Sequence, residues 1–268
     1  WGAPRTRTRR SARLPPGLLR PLRHGPAVRL HLGRLVAPGF LRRSLKIASR
    51  VKRDKTAAQA DITVGVVLPL TGPANGLGIP VNNYIKLWPT SIAGEKLKVI
   101  VLDDASDPSK GVQNAKKLVT EDKVDVLVGS AVTPVAIAMA GVAAEAQTVQ
   151  LMMSPANLPA GKDYWSYRLP QSNAVMAHAL IEHMKKKGIK QIGFLGYTDA
   201  YGEQWLKEFT PLAEKNGIKV IAAERFARSD TSVTPQALKL VSANPDAMLT
   251  PSSMDFFAEY AKAIAHRG

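Results

Sequence analysis

The chain contains no cysteine among its 268 residues. Disulfide bonds, thiolate zinc sites and cysteine nucleophiles are therefore excluded, although this absence does not assign the chain to a compartment. Long apolar runs are missing too. No stretch of the sequence reaches the roughly 18 consecutive apolar residues that indicate a membrane-spanning helix.

The common motifs of α/β enzymes are also missing. Gly72, Gly76 and Gly78 lack the G-x-G-x-x-G spacing of a dinucleotide site, and two prolines interrupt the segment. No P-loop, G-x-S-x-G or H-E-x-x-H motif occurs. His178 and His183 lie five residues apart, whereas a helical zinc pair needs a spacing of four. We therefore expect no enzymatic activity, no cofactor and no metal site.

Acidic residues are scarce only near the start of the chain. Residues 1–60 carry 16 Lys and Arg and a single acid, Asp54, which gives +15 of the total net charge of +16. Residues 61–268 carry the remaining +1. A basic groove for nucleic acid is therefore not supported in residues 61–268, and we expect no nucleic-acid partner.

Residues 1–60 form an Arg-rich leader with frequent proline and glycine and no helical or strand periodicity. This composition predicts disorder. A nucleic-acid arm, a transit peptide and a secretory signal are the alternatives. The first lacks a recognition helix, and the second lacks an amphipathic pattern.

The secretory signal fits in part. LRRSLKIAS (41–49) resembles a basic region entering an apolar run, and AQA (58–60) resembles a cleavage site, but RVKRDK (50–55) lies where the apolar run belongs. The chain begins with Trp1, not methionine. We interpret the leader as a damaged signal region or as non-native sequence.

Apolar strands alternate with helical segments from residue 61 onward. The predicted strands are 62–68, 96–102, 124–129, 149–153, a short strand before Pro170, 189–197, 218–226 and one ending within 247–253. The predicted helices include 78–92, broken by Pro80 and Pro89, then 110–119, 134–146, 172–187, a helix ending at Lys215, and two segments from residues 234 and 254. Alternating strands and helices predict parallel sheets in an α/β fold.

Two loops carry candidate chemistry. Asp103, Asp104 and Asp107 could suggest a metal site, but no ligand set completes one, and aspartate with proline favours a helix cap. Ser130 and Thr133, with Thr133 as the predicted N-cap, precede the helix 134–146. Hydroxyls and amides at a helix N-terminus bind carboxylates, although an ordinary capped helix fits the same pattern.

Several motifs in order resemble one family. They are DITVGVVLPLTGPANGLG, VIVLDDASDPSKGVQNAKKLV, VLVGSAVTPVAIAMAGVAAE, LMMSPAN and IGFLGYTDAYGEQW. Together they resemble the leucine/isoleucine/valine-type periplasmic solute-binding proteins, the extracytoplasmic receptors of ABC importers, over residues 61–268. The resemblance implies two doubly wound parallel-sheet lobes, an N-terminal lobe at 61–169 and a C-terminal lobe at 170–268. By the same resemblance we expect the second lobe to be incomplete, since only the first of the family's three crossings matches this sequence.

The resemblance also implies a ligand site between the lobes. Ser130 and Thr133 match the loop that contacts the ligand carboxylate, Ala156 matches through its backbone, and Tyr201 matches a cleft tyrosine, though it could also pack under its own loop. Leu158 replaces a hydroxyl residue of amino-acid-binding members, which favours an organic acid over an α-amino acid. The full set of expected ligand-binding residues is Thr71, Ser130, Thr133, Ser154, Ala156, Asn157, Asp199, Tyr201 and Ser253.

The expected function is a periplasmic solute-binding receptor. It would bind a small carboxylate-bearing ligand, either an amino acid or an organic or aromatic acid, and deliver it as a monomer to an ABC permease in the membrane. Two alternatives remain: a ligand-sensing regulator of the same fold behind a DNA-binding head, and a Rossmann-like enzyme. Absence of a helix-turn-helix pattern disfavours the first, and absence of the dinucleotide motif disfavours the second.

Overall fold

A computed structural model describes residues 61–159, 161 and 163–252 of the chain. These residues all belong to one unit of the chain, Ala58–Gly268. The expected disorder of the leader, Ser253 and the helix predicted from residue 254 lie outside the described residues.

The first sheet has six strands in the order β2-β3-β1-β4-β5-β6. All neighbouring pairs are parallel except β2 with β3. Its strands are β1 (Ile62–Leu68), β2 (Ser91–Ile92), β3 (Glu95–Asp103), β4 (Val126–Gly129), β5 (Val149–Met152) and β6 (Ser166–Arg168).

Three helices cover this sheet: α1 (Asn75–Ile85), α2 (Pro108–Thr120) and α3 (Thr133–Ala146). Leu118 of α2 and Met139 of α3 share one core cluster with Val67 of β1. Ile85 of α1 belongs to a second cluster with Val66, the next residue along β1. Because neighbouring residues of a strand point to opposite faces, helices cover both faces of the sheet.

The second sheet has three parallel strands in the order β8-β7-β9. They are β7 (Gln191–Tyr197), β8 (Lys219–Phe226) and β9 (Ala247–Leu249), and the accompanying helices are α4 (Asn173–Lys186), α5 (Ala200–Lys215) and α6 (Thr234–Ser242). Helices α4 and α5 pack around Phe194 on one face, and Leu240 of α6 packs near Leu195 on the other. The predicted fold class, α/β with two doubly wound parallel-sheet lobes, is therefore confirmed.

The predicted bounds of the helix at 78–92 and the predicted N-cap of α3 are wrong. Helix α1 begins at Asn75, continues through Pro80 and ends at Ile85, and Ser91–Ile92 forms strand β2 instead of the last turn of a helix. Pro89 explains this end, because proline lacks an amide hydrogen and disfavours a helical conformation at the residue before it. The predicted N-cap Thr133 is instead the first residue of α3, and the N-cap is Val132.

Ser130 explains the position of this second boundary. Its hydroxyl accepts a hydrogen bond from the amide of Val132 at 3.1 Å. The carbonyl of Val132 in turn accepts the hydrogen bond of Ala136 at 2.9 Å, so helical bonding begins at Val132. The predicted capping role of Asp107 is confirmed, since its carboxylate accepts from the amide of Lys110 at 2.7 Å.

Helices α2 and α3 approach closely at Gly111. A Cβ atom on Gly111 would lie 2.4 Å from Cγ1 of Val135. Gly111→Ala should therefore lower the free energy of unfolding by about 1–3 kcal/mol through overpacking. Val135→Ala in the same chain should restore part of this loss. Urea denaturation measures both effects.

Gly141 of α3 is the matched control, because a Cβ atom there would meet no atom within 4 Å. Gly141→Ala should raise the free energy of unfolding by about 0.5–1 kcal/mol, since alanine favours the helix over glycine. Equal stabilities of the two alanine variants would contradict the close approach of α2 and α3.

Candidate functional site

A cavity of about 710 Å³ lies between loops of the first sheet and loops of the second. Residues that follow β1, β4, β5, β7 and β8 contribute to its lining. In open α/β sheets, ligands bind beyond the carboxyl ends of the strands, and both sheets present these ends to the cavity. The cavity is therefore the candidate binding site.

The wall from the first sheet is mostly apolar. Leu77 and Val81 of helix α1 line it, together with Met153 and Pro155 from the loop after β5. Thr133, at the start of α3, is its buried polar member and is only 2% exposed. A ligand in the cavity can therefore make apolar contacts with this wall and a hydrogen bond with the hydroxyl of Thr133, near a helix N-terminus.

The wall from the second sheet contains the positively charged residue of the cavity. Arg228, which follows β8, lines the cavity together with Tyr197 and Tyr201. Nε of Arg228 donates to Oδ2 of Asp199 at 2.5 Å, and the guanidinium carbon lies 3.9 Å from the centroid of the Tyr197 ring. Among the described lining residues, Arg228 alone has a charged side chain.

The carboxylate of Asp199 connects helix α5 to Arg228 in this wall. It is the N-cap of α5, and its Oδ1 accepts hydrogen bonds from the amides of Tyr201 and Gly202 at 2.9 and 3.3 Å. Its other oxygen receives Arg228. Within the described part of the chain, the two terminal nitrogens of Arg228 have no hydrogen-bond partner, so they can donate to a carboxylate in the cavity.

Tyr201 supplies a neutral hydroxyl to the same wall. Burial raises the pKa of Tyr201 above its ordinary value of 10.0. The phenol is therefore protonated at neutral pH and can donate a hydrogen bond to a ligand as well as pack against it.

Asp103 organises the loop that leads into α1. Its carboxylate accepts from the amides of Leu70 and Thr71 at 2.9 and 3.1 Å, from the hydroxyl of Thr71 at 2.5 Å and from the amide of Ala105 at 2.8 Å. Burial acts to raise its pKa, but the hydrogen bonds from Thr71, Ala105 and Leu70 bring the pKa below its ordinary value of 3.8.

Asp104 lies behind this loop and is fully buried. Its Oδ2 accepts from the hydroxyl of Ser130 at 2.7 Å, and its Oδ1 accepts from the amide of Ser106 at 2.8 Å. Burial raises the pKa of Asp104. The neighbouring carboxylates thus join the loops after β1, β3 and β4 to one another.

Of the predicted ligand-binding residues, the structure places Thr133 and Tyr201 on the cavity. Thr71 and Ser130 are not among the residues that line the cavity, and their hydroxyls donate to Asp103 and Asp104. Asp199 lies behind Arg228.

The other predicted residues are on the loop after β5. Ser154 is fully buried, and no described residue pairs with its hydroxyl. The carbonyl of Ala156 accepts from Arg168 at 3.3 Å. Asn157 hydrogen bonds to helix α5 instead of lining the cavity. Contact of these residues with a ligand stays a prediction.

Arg228 lines the cavity but was not among the predicted ligand-binding residues. The sequence did place it two residues beyond the strand predicted at 218–226, at the edge of a sheet where ligands bind in α/β folds. In a chain with 37 Lys and Arg, residue type alone did not distinguish it.

The described residues were also compared with the requirements of a metal site and of a membrane-spanning helix. They contain no group of three or more His, Cys, Asp or Glu side chains that could hold a metal ion. In the same part of the chain, no helix has both the length and the apolar character that crossing a membrane requires.

Asp103→Asn tests the loop organisation through its pH dependence. Because folding lowers the pKa of Asp103, its contribution to stability is complete above about pH 3.8 and is lost as the pH falls through the lower folded value. The native chain should therefore be more stable than Asp103→Asn at pH 7, and the difference should narrow below pH 3.8. Thermal denaturation between pH 7 and pH 3 measures this.

Glu145→Gln is the matched control, since it removes an exposed carboxylate from α3. It should leave stability at pH 7 nearly unchanged. A gap between the native chain and Asp103→Asn that stays constant with pH would show that the carboxylate charge does not organise the loop.

Comparison with known proteins identifies the family. A sequence model of the family described as periplasmic binding protein matches residues 61–268. Leu/Ile/Val-binding protein homolog 3 of Brucella melitensis is 30% identical over 224 residues, which cover 76% of this chain and 59% of that protein.

Solved structures agree with this match. An extracellular ligand-binding receptor from Rhodopseudomonas palustris HaA2 is 44% identical with a TM-score of 0.73, over 78% of this chain and 58% of that chain. A solute binding protein of an ABC transporter from Rhodopseudomonas palustris BisB5, in complex with 3,4-dihydroxybenzoic acid, is 26% identical with a TM-score of 0.69, over 78% and 59% of the two chains.

The chain thus spans about three fifths of the length of these relatives. The family match extends from the first described strand to the last residue of the chain. The chain therefore belongs to the periplasmic binding protein family, and the resemblance of residues 61–268 to its leucine/isoleucine/valine-type members is confirmed.

Proposed function

We propose that this chain is the extracytoplasmic ligand-binding part of an ABC importer and that it binds a small carboxylate between its two halves. The observation that carries this proposal is Arg228. Arg228 lines the cavity, its Nε is bonded to Asp199, and its terminal nitrogens have no hydrogen-bond partner among the described residues. A planar fork of this kind matches a carboxylate in two parallel hydrogen bonds.

The rest of the ligand is apolar and small. Met153, Met176 and Leu77 line the cavity beside the two tyrosines. Sites of this type bury an apolar body and orient it through a few polar groups. Binding in this manner needs no catalytic step, so the receptor acts by holding and releasing its ligand.

An organic or aromatic acid fits the cavity better than an α-amino acid. Among the described lining residues there is no acidic side chain, so the ammonium group of an amino acid would meet no carboxylate there. Leu158 packs next to Ala136, Met152 and Ala156 and offers no hydroxyl. The structure with 3,4-dihydroxybenzoic acid, at 26% identity, supports the same ligand class.

The α-amino acid is the second candidate ligand. Its support is that relatives at 30% and 28% identity carry the name Leu/Ile/Val-binding protein. Asp199 is the nearest candidate for an ammonium partner, but it already receives three donors from Arg228, Tyr201 and Gly202. An amino acid would have to displace Arg228 from this carboxylate.

We further propose that residues 61–169 and 170–268 act as two lobes that close on the ligand by a hinge motion and then present it to a membrane permease. Pro170 and Gln171 lie on the connection between the two sheets and line the cavity. A bound ligand would therefore lie next to the segment that moves in the hinge motion. In this proposal the receptor works in the periplasm as a monomer.

A ligand panel tests the class of ligand. Benzoate, 4-hydroxybenzoate and 3,4-dihydroxybenzoate are compared with leucine and valine by thermal shift. At a concentration about 100-fold above Kd, a ligand stabilises by about 2.7 kcal/mol, which corresponds to about 5–10 °C in Tm for a chain of this size. At least one aromatic acid should give this shift. A shift with leucine or valine alone would contradict the organic-acid assignment.

Arg228→Met tests the carboxylate contact. Hydrogen bonds to charged groups contribute about 1.5–3 kcal/mol each, so affinity for the best acid in the panel should fall by at least about tenfold. Arg225→Met is the matched control, because Arg225 lies three residues earlier and pairs with Glu203 away from the cavity. Calorimetric titration should show little change for this control.

Thr133→Val tests which of the two walls binds the carboxylate of the ligand. Loss of a neutral hydrogen bond should lower the affinity by about two- to tenfold, less than Arg228→Met. If Thr133→Val instead gives the larger loss and Arg228→Met gives none, the carboxylate binds at the start of α3 on the opposite wall.

A further inference from the structure

A polar bridge connects the two halves beside the cavity. It joins Asn157, on the loop after β5 of the first sheet, to Gln204 and Glu208 of α5, which packs on the second sheet. The amide of Asn157 donates to Oε1 of Gln204 at 3.2 Å, and Nε2 of Gln204 donates back to the carbonyl of Asn157 at 3.3 Å. The side chain of Asn157 donates from Nδ2 to Oε1 of Glu208 at 2.5 Å.

Arg168 determines which way the Asn157 amide faces. The Nη1 of Arg168, in β6, donates to Oδ1 of Asn157 and to the carbonyl of Ala156. Because a guanidinium only donates and a carboxylate only accepts, Oδ1 must face Arg168 and Nδ2 must face Glu208. The bridge therefore has a defined polarity across the gap between the two halves.

The bridge and the cavity use the same face of α5. Tyr201, Gln204 and Glu208 are spaced by three and four residues, so they share one side of the helix. Tyr201 lines the cavity, and the next two positions along this side reach the other half. Helix α3 also contacts α5, so the two halves meet along this side of the cavity.

We propose that Asn157, Gln204 and Glu208 form an interlobe latch, which stabilises the closed arrangement and so regulates ligand retention. This inference rests on the proposed closure of two lobes on a ligand. Separation of the halves breaks three hydrogen bonds together, whereas none of the three residues needs to touch the ligand. The latch residues are half-buried or exposed, so water can replace their hydrogen bonds and the latch can open reversibly.

Asn157→Asp tests the polarity of the latch with almost no change in shape. The aspartate can still accept from Arg168, but its second oxygen now faces the carboxylate of Glu208. Like charges at this distance repel, so the closed fraction should fall by about two- to fivefold. Glu208→Gln added to Asn157→Asp supplies a donor to the new carboxylate and should restore the native closed fraction.

The separation of the two halves can be measured with spin labels, because the chain has no native cysteine that would also be labelled. Lys116→Cys on α2 and Lys219→Cys on β8 place one exposed label site beside each sheet, with no competing thiol. Distances between two spin labels at these sites are measured without ligand, in the native chain and in each latch variant. Circular dichroism of each labelled variant confirms that it is folded.

Glu203→Gln is the matched control on the same helix, since Glu203 pairs with Arg225 and not with the first half. It should leave the distance distribution unchanged. The latch is contradicted if Asn157→Asp keeps the native distribution, if Glu208→Gln fails to restore it, or if Glu203→Gln shifts it equally. No ligand is present in this experiment, so its result is independent of whether any acid binds.

Discussion

The binding wall of the second half depends on the carboxylate of Asp199. One oxygen caps helix α5 through two amides, and the other receives Nε of Arg228. The two side chains are 19% and 17% exposed, so the pair is shielded from water more than an ordinary surface ion pair. Loss of the carboxylate would remove both the side-chain cap of α5 and the ion pair of Arg228.

This carboxylate also shapes the electrostatics of the cavity. The guanidinium lies against the face of Tyr197, where the ring electrons attract a cation. Asp199 and Tyr197 thus both contact Arg228, which lines the cavity. A ligand carboxylate that enters meets a cation whose position is already determined, which reduces the entropy lost on binding.

The two halves differ in what they contribute. The first half supplies apolar surface and a rigid loop scaffold, in which Asp103 and Asp104 hold the loops after β1, β3 and β4. The second half supplies the charge. Because each half offers an incomplete site, strong binding in our account requires both, and closure and ligand binding therefore favour one another.

The sequence predicted the framework well because its signals were local. Continuous apolar runs such as Ile62–Leu68 indicated buried parallel strands, and Asp107 before Pro108 indicated a helix start. Pro89 correctly indicated a break in the first helix, whereas Pro80 did not interrupt it. The N-cap of α3 was wrong because it depended on the hydroxyl of Ser130, which accepts from the amide of Val132.

The site was harder to predict because its geometry is not local. Asp199 and Arg228 are 29 residues apart, and Asn157 and Gln204 are 47 apart. No spacing rule along the chain relates such residues, so polar groups on loops looked equivalent. The sequence could place Thr133 and Tyr201 at the correct ends of strands, but it could not show that Asp199 faces Arg228.

A crystal structure of the chain with 4-hydroxybenzoate would show whether a ligand carboxylate binds to Arg228 between the two halves. We expect the carboxylate on the terminal nitrogens of Arg228, the ring between the methionines and tyrosines of the cavity, and Nε still bonded to Asp199. A carboxylate at the start of α3, or a ligand outside the cavity, with Arg228 bonded only to Asp199, would contradict this expectation.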